Sequence, residues 1–191
     1  MNYQSTAERL NDYRRQIAEL RQKMRAAQAE IEPEPVKDYA FRGANGATVK
    51  LSELFGEKGT LFVVHNMGAS CRYCTLWADG FNGVFEHLRS RAAFVVSSPD
   101  APEKQQAFAA SRGWRFPMVS TVGTTFAQDM GYWQDNRAMP GVSVFKRAGD
   151  EILRVADTAF SPGDDFCGVW HFLDLIPEGA TGWQPQYKYG T

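Results

Sequence analysis

The chain has 191 residues, 43% of them hydrophobic and 23% charged, with a formal net charge of -1. That is enough for one sizeable domain plus an appendage of ordinary globular composition, and it gives no electrostatic reason to expect nucleic acid or an anionic membrane as partner. No run approaches the roughly 18 apolar residues of a membrane span. Residues 1–8 have no apolar core and do not read as a secretory signal. Three cysteines, an odd count, do not make a disulfide framework, so cytoplasmic residence is expected.

Residues 3–31 read as one long helix. Tyr3, Thr6, Leu10, Tyr13, Ile17, Leu20, Met24, Ala27 and Ile31 are spaced by alternating steps of three and four, a heptad stripe with Glu, Arg and Gln between. Such a stripe serves either as an amphipathic strap on its own domain or as a homodimer contact. Arg14, Arg15, Arg21, Lys23 and Arg25 are interleaved with Glu19 and Glu30, which fits a solvated face better than a phosphate-binding patch. Pro33 and Pro35 end the helix and begin an extended linker, so the domain division expected is 1–35 and 36–191.

From Asp38 the pattern becomes α/β. Tyr39-Ala40-Phe41 and Thr48-Val49-Lys50 flank Gly43-Ala44-Asn45-Gly46, a hairpin signal because Asn-Gly accepts the positive φ of tight turns. Ser52 caps a short helix, Glu53-Leu54-Phe55, and Thr60 to His65 is an apolar, β-branched strand. After a Gly68-Ala69-Ser70 turn comes Cys71-Arg72-Tyr73-Cys74, then Trp77, Phe81, Phe85 and Leu88 at helical spacing. Two thiols therefore occupy the start of a helix, where unpaired N–H groups and the dipole favour an anion and lower a cysteine pKa. A CxxC alone could be half of a zinc site; in a βαβ setting without a second CxxC it reads as a redox pair.

Ala92 to Ser97 reads as a strand, Ala101 to Arg112 as a helix with Pro102 near its start, and Phe116 to Ser120 as a strand with Pro117 at its start or edge. Thr124 to Met130 is a short helix or turn, and Gly131 to Met139 an irregular polar and aromatic loop. Val142 to Lys146 and Ile152 to Ala156 form two further strands. Asp164-Asp165 open a last helix ended by Pro177, and the Gly-, Pro- and aromatic-rich tail drapes the surface.

Cys71 is the expected attacking thiolate and Cys74 the resolving thiol, with Arg72 adding a nearby cation and Tyr73 beside them. Asp79 is either a proton acceptor for the resolving thiol or a solvated helix residue. His65 is read as a core histidine and His87 as solvated. Cys167 and His171 share a helix face and with Cys71 and Cys74 would make a Cys₃His set suited to Zn²⁺. The plainer reading packs Cys167 as a small hydrophobe beside Phe166 and Trp170. Trp77 and Trp114 are core or cleft wall, while Tyr132 and Trp133 are expected to face substrate.

The order strand, CxxC helix, strand, helix, strand, then Pro and an antiparallel strand pair, resembles the thioredoxin fold. The preceding hairpin and Leu51-Ser52-Glu53-Leu54-Phe55 resemble the N-terminal extension of the peroxiredoxin (alkyl hydroperoxide reductase) branch. Closer still is the resemblance to a bacterial thioredoxin-like family known as domain of unknown function 899. It rests on Asp38-Tyr39-Ala40-Phe41, the Cys71, Cys74, Trp77, Ala78, Asp79 stretch, Gly113-Trp114-Arg115-Phe116-Pro117 and Gly141 to Phe145. The resemblance implies an α/β, thioredoxin-like fold: a central mixed sheet flanked by helices, with an N-terminal hairpin extension and a long N-terminal helix. By position Pro140, after Met139, is the proline that thioredoxins hold in cis facing the CxxC. The peroxiredoxin signature would need Pro at Val64 and Thr or Ser at Gly68, so peroxidase activity is not supported.

The expected function is thiol-disulfide oxidoreduction with a protein or small-molecule disulfide or thiol as substrate, needing no cofactor beyond the Cys71–Cys74 pair. Two alternatives use the same residues: a metal-binding or metallochaperone module, and a redox-inactive interaction protein that dimerises through residues 3–31.

Overall fold

A computed structural model describes residues 3–190. The chain divides into two compact units, with Pro33 closing the first and Glu34 opening the second. The first is a single helix, α1 (Tyr3–Ala29), none of whose residues is buried. Its stripe stays open to solvent: Leu10, Ile17 and Met24 are 45%, 46% and 70% exposed. Local side-chain bonds such as Arg15 to Asp12 at 2.8 Å support the solvated faces. No helix among the described residues is long and apolar enough to cross a membrane.

The second unit carries strands β1 (Glu34–Val36), β2 (Ala40–Arg42), β3 (Thr48–Lys50), β4 (Thr60–His65), β5 (Ala93–Ser98), β6 (Met118–Ser120), β7 (Trp133–Gln134), β8 (Arg137–Ala138), β9 (Gly141–Ala148) and β10 (Glu151–Ala159). Its helices are α2 (Arg72–Arg91), α3 (Pro102–Arg112), α4 (Phe126–Asp129) and α5 (Gly168–Leu173). Eight strands form one sheet in the order β1-β10-β9-β4-β5-β6-β2-β3. β4, β5 and β6 run parallel, and β9 pairs antiparallel with β4 on one side and β10 on the other. This is the mixed sheet that the thioredoxin-like resemblance implies.

Alternation along the central strands sorts the core into two clusters. Leu61 and Val63 of β4 and Val95 of β5 join Phe41, Phe55, Phe126 and Phe145 on one side. Val64, Phe94 and Val96, the opposite-facing residues, join Trp77, Phe81 and Phe85 of α2 and Trp170 of α5 on the other. On α2 the buried positions Cys74, Trp77, Ala78, Phe81 and Phe85 recur at helical spacing, which fixes that helix on the sheet. Arg89 and Arg91 sit in its last turn, where the dipole favours cations.

Three expectations change. The segment after α1, expected as a linker, is an edge strand: Glu34, Pro35 and Val36 pair with Arg154, Leu153 and Ile152. Pro35 is tolerated because an edge strand can leave its donor side unpaired. The 131–139 loop contains a second, two-stranded sheet, β7 against β8. Its turn residues Asp135 and Asn136 take φ of 48° and 61°, the two-residue turn that suits hairpin twist. Ser52 provides no side-chain cap to the 3₁₀ turn Glu53–Phe55; its hydroxyl donates to Asp38 at 2.8 Å.

Candidate functional site

Cys71 is the N-cap of α2. Its backbone is extended, at φ -92° and ψ 107°, and its sulfur accepts the Cys74 N–H at 3.1 Å, as a capping oxygen would. Cys74 lies one turn in, 3% exposed, and its sulfur accepts the Met67 N–H at 3.4 Å. Both are free thiols. The two sulfurs are driven apart electrostatically. The side-chain hydrogen bond from Cys74, against an opposing cost of burial and with help from the Cys74 and Tyr73 N–H groups, brings the Cys71 pKa from 9.0 down to about 7. The same bond, burial and the charge on Cys71 push Cys74 well up. One thiol is ready to ionise and the other holds its proton.

The loop before Cys71 is anchored from outside. Ala69 N–H donates to Asp100 at 2.6 Å, Gly68 N–H donates to the Asn66 side chain at 2.8 Å, and Asp100 pairs with Lys104 at 2.6 Å. Gly68 has φ +101°, and a Cβ there would come within 2.7 Å of the Asp100 carboxylate. The position where peroxiredoxins carry a hydroxyl is therefore shaped for glycine alone. Val64, where their proline would stand, is paired on both sides, with Val96 and Val142.

Pro140 lines a small cavity with Cys74, His65 and Trp77, so it does stand beside the buried thiol. Its peptide bond is trans, since no described peptide bond is cis; the expected cis Met139–Pro140 bond is corrected. The chain reaches β9 from the β7–β8 hairpin, and extended geometry lets Met139 N–H donate to Tyr132 at 2.9 Å while the Pro140 carbonyl accepts from Phe160 at 3.0 Å. A trans bond is the ordinary preference and nothing here works against it.

Arg72 is exposed and lies 6.0 Å from the Tyr187 ring centroid, and it is not among the causes that lower Cys71. Tyr73 stacks on Trp170 at 6.2 Å. Asp79 is partly exposed and engaged away from Cys74: its carboxylate pairs with Arg112 and accepts the Trp114 indole N–H at 2.8 Å. Arg112 also donates to the Tyr187 carbonyl at 2.6 Å. His65 is core, as read: it is buried, bonded to Ser143 at 2.8 Å and stacked on Tyr132 at 3.9 Å. Burial lowers its pKa to about 3. Tyr132, expected to face substrate, is buried in the core, with its hydroxyl donating to Asp157 at 3.1 Å. Its ring is also why residue 141 is glycine, since a Cβ there would collide with it.

Cys167 packs in the same cluster as Trp170, and His171 pairs with Asp165 at 3.2 Å, so the Cys₃His set is not assembled. Among the described residues no three His, Cys, Asp or Glu side chains converge as a metal site. Reading the sequence missed Asn66, Asp100, Arg112 and Tyr187. Asp100, Arg112 and Tyr187 have no local signal, because each acts on residues far away in the chain, whereas Asn66 bonds Gly68 only two residues on.

The fold and the paired thiols at a helix start define an α/β protein of thioredoxin-like architecture. The chain belongs to the family described as bacterial protein of unknown function (DUF899), whose model it matches over residues 5–189. Among solved structures it resembles peroxidoxin BcpB from Mycobacterium tuberculosis, with 24% identity and a TM-score of 0.56 over 68% of this chain and 86% of that one. A peroxiredoxin-like protein from Aquifex aeolicus matches with 11% identity and a TM-score of 0.54, over 66% of this chain and 74% of that one. PrxQ from Xylella fastidiosa, as a mutant, matches with 12% identity and a TM-score of 0.54 over 69% of this chain and 87% of that one. At such identities the likeness is one of fold. No curated protein matches the chain.

Proposed function

We propose that the protein is a thiol-disulfide oxidoreductase that cycles Cys71 and Cys74 between dithiol and disulfide. One observation carries this reading: adjacent thiols at the start of α2 have opposite tendencies, Cys71 falling to about 7 and Cys74 rising. Attack needs a thiolate near neutral pH, and resolution needs a second thiol that stays protonated until the mixed disulfide has formed. In the reducing direction the Cys71 thiolate attacks a substrate disulfide, forming one S–S bond and expelling one thiolate. Cys74 then loses its proton and attacks the Cys71 sulfur, releasing the second substrate thiol. Peroxide reduction is a weaker reading, because Gly68 supplies no hydroxyl.

Substrates are protein or small-molecule disulfides or thiols, and the site asks for no cofactor. For assembly we favour a homodimer through residues 3–31, since the α1 stripe has no burial of its own. The test of the function is the equilibrium of the Cys71–Cys74 pair in graded glutathione buffers, followed by mass. A two-electron, two-hydrogen loss confined to those residues supports it; thiols that stay reduced until Cys167 oxidises with them refute it.

A further inference from the structure

Met67 touches both thiols. It is half-buried, between the end of β4 and the turn at Gly68. The Cys71 S–H donates to the Met67 thioether sulfur at 3.9 Å, and the Met67 N–H donates to the Cys74 sulfur at 3.4 Å. The Cys74 N–H closes the triangle on the Cys71 sulfur at 3.1 Å. Met67 is also fixed from both sides. The Asn66 N–H donates to the Ser97 carbonyl at 2.9 Å, and the Gly68 and Ala69 N–H groups are held by the Asn66 and Asp100 side chains. Met67 belongs to neither of the two hydrophobic clusters, so its side chain is not there as core filling.

Thioether and thiolates together make a soft ligand set of the kind that selects Cu(I). Metal–sulfur bonds to such ions are about 2.3 Å, which puts two sulfurs of a trigonal site about 4 Å apart. Cys71 and Met67 already stand at that separation. A closed zinc site wants four ligands, and the neighbours offer no fourth. His65 is engaged with Ser143, and Asp100 with Ala69 and Lys104. Two thiolates around Cu(I) leave one net negative charge, which the N–H groups and dipole at the start of α2 favour.

We propose that the dithiol form binds one Cu(I) ion through the Cys71 and Cys74 sulfurs and the Met67 thioether. On binding, both thiols end as thiolates, their protons pass to solvent, three Cu–S bonds form and no electron moves. The ion is a ligand of the dithiol and no cofactor of exchange, because while held it occupies both sulfurs. This goes beyond the function proposed above and does not rest on it.

The test uses the full, reduced chain without oxygen, titrated into Cu(I) held by the coloured chelator bicinchoninate. The chain should withdraw one ion. Met67→Leu, which conserves volume, should bind at least about tenfold more weakly, the loss that even an outer partner of a ligand causes. X-ray absorption should count three sulfurs around the ion in the wild type and two in Met67→Leu. Equal affinity of the two chains, two sulfurs in the wild type, or Cu(I) left with the chelator overturns the inference. Should Met67→Leu fail to fold, the sulfur count in the wild type decides alone. A pair that forms its disulfide in glutathione buffers yet holds no Cu(I) refutes this site and leaves the proposed function standing. Cu(I) held on three sulfurs by a pair that never forms the disulfide does the reverse.

Discussion

Replacing Cys74 by alanine removes the largest cause of the lowered Cys71 pKa and leaves the helix cap in place, because the capping donor is the backbone N–H of residue 74. The pKa of about 7 lies two units below 9.0. With the thiol donor gone and the Cys74 and Tyr73 N–H groups retained, a rise of about one unit is expected. At pH 7 the thiolate fraction then falls from about one half to about one tenth. Nucleophilicity moves the other way: with a Brønsted coefficient of about 0.45, a thiolate one unit more basic reacts about threefold faster. The net rate of Cys71 with a small disulfide reagent should drop only about twofold at pH 7 and rise about 2.5-fold at pH 9, the two curves crossing near pH 7.5. Stopped-flow exchange, with mass assignment of the labelled residue, measures both curves. Parallel curves without a crossing, or a lower midpoint in Cys74→Ala, would refute the hydrogen-bond account of Cys71.

Three further outcomes follow from the geometry. His65 is buried with a pKa of about 3 against 6.5 unfolded, so the unfolded chain binds more protons below 6.5 and stability falls as pH falls. Urea unfolding should show about 2 kcal/mol lost between pH 7 and pH 5, beyond what His65→Phe loses over the same range, and equal losses would refute it. Asp79→Asn, breaking a partly exposed pair with Arg112 and weakening the Trp114 bond, should cost about 1–2 kcal/mol by the same assay, and wild-type stability would show the clamp to be idle. Arg9, Arg14, Arg21 and Lys23 flank the α1 stripe, so a homodimer through it should tighten as added salt screens like charges. Light scattering checks this: a chain starting at Glu34 should be monomeric, and a full chain monomeric at every ionic strength would refute the dimer.

What could be read from the sequence is what is local. A cysteine standing just before a helical run, with a second thiol one turn later, announces the N-cap, because the cap is defined by residues 71 to 74 alone. Periodicity likewise locates the strands and α2. The β7–β8 hairpin escaped notice because each strand has two residues, too few to alternate, and its signal is only Asp135-Asn136. The Met139–Pro140 bond takes the ordinary trans form, and the Pro140 carbonyl accepts from Phe160, a partner that the motif around Pro140 does not contain. Asp79 seemed free for chemistry only because Arg112 and Trp114, 33 and 35 residues on, were invisible from its own helix. Tyr187 sits in a tail whose composition signals drape; that it is clamped by α3 is a tertiary fact.

The sulfur of Cys71 has two employments at once, as nucleophile and as the group that closes the first turn of α2. A thiolate accepts the Cys74 N–H more strongly than a disulfide sulfur does. In the cycle proposed above, oxidation therefore weakens the helix start, and reduction restores it. Folding and redox state are then linked in a closed thermodynamic square. Whatever stability the dithiol chain gains over the disulfide chain from this cap must reappear, with the same magnitude, as greater readiness of the folded disulfide to accept electrons. The melting difference between the two redox forms, corrected for the tether that the disulfide places on the unfolded chain, becomes a measure of the oxidising power written into one helix turn.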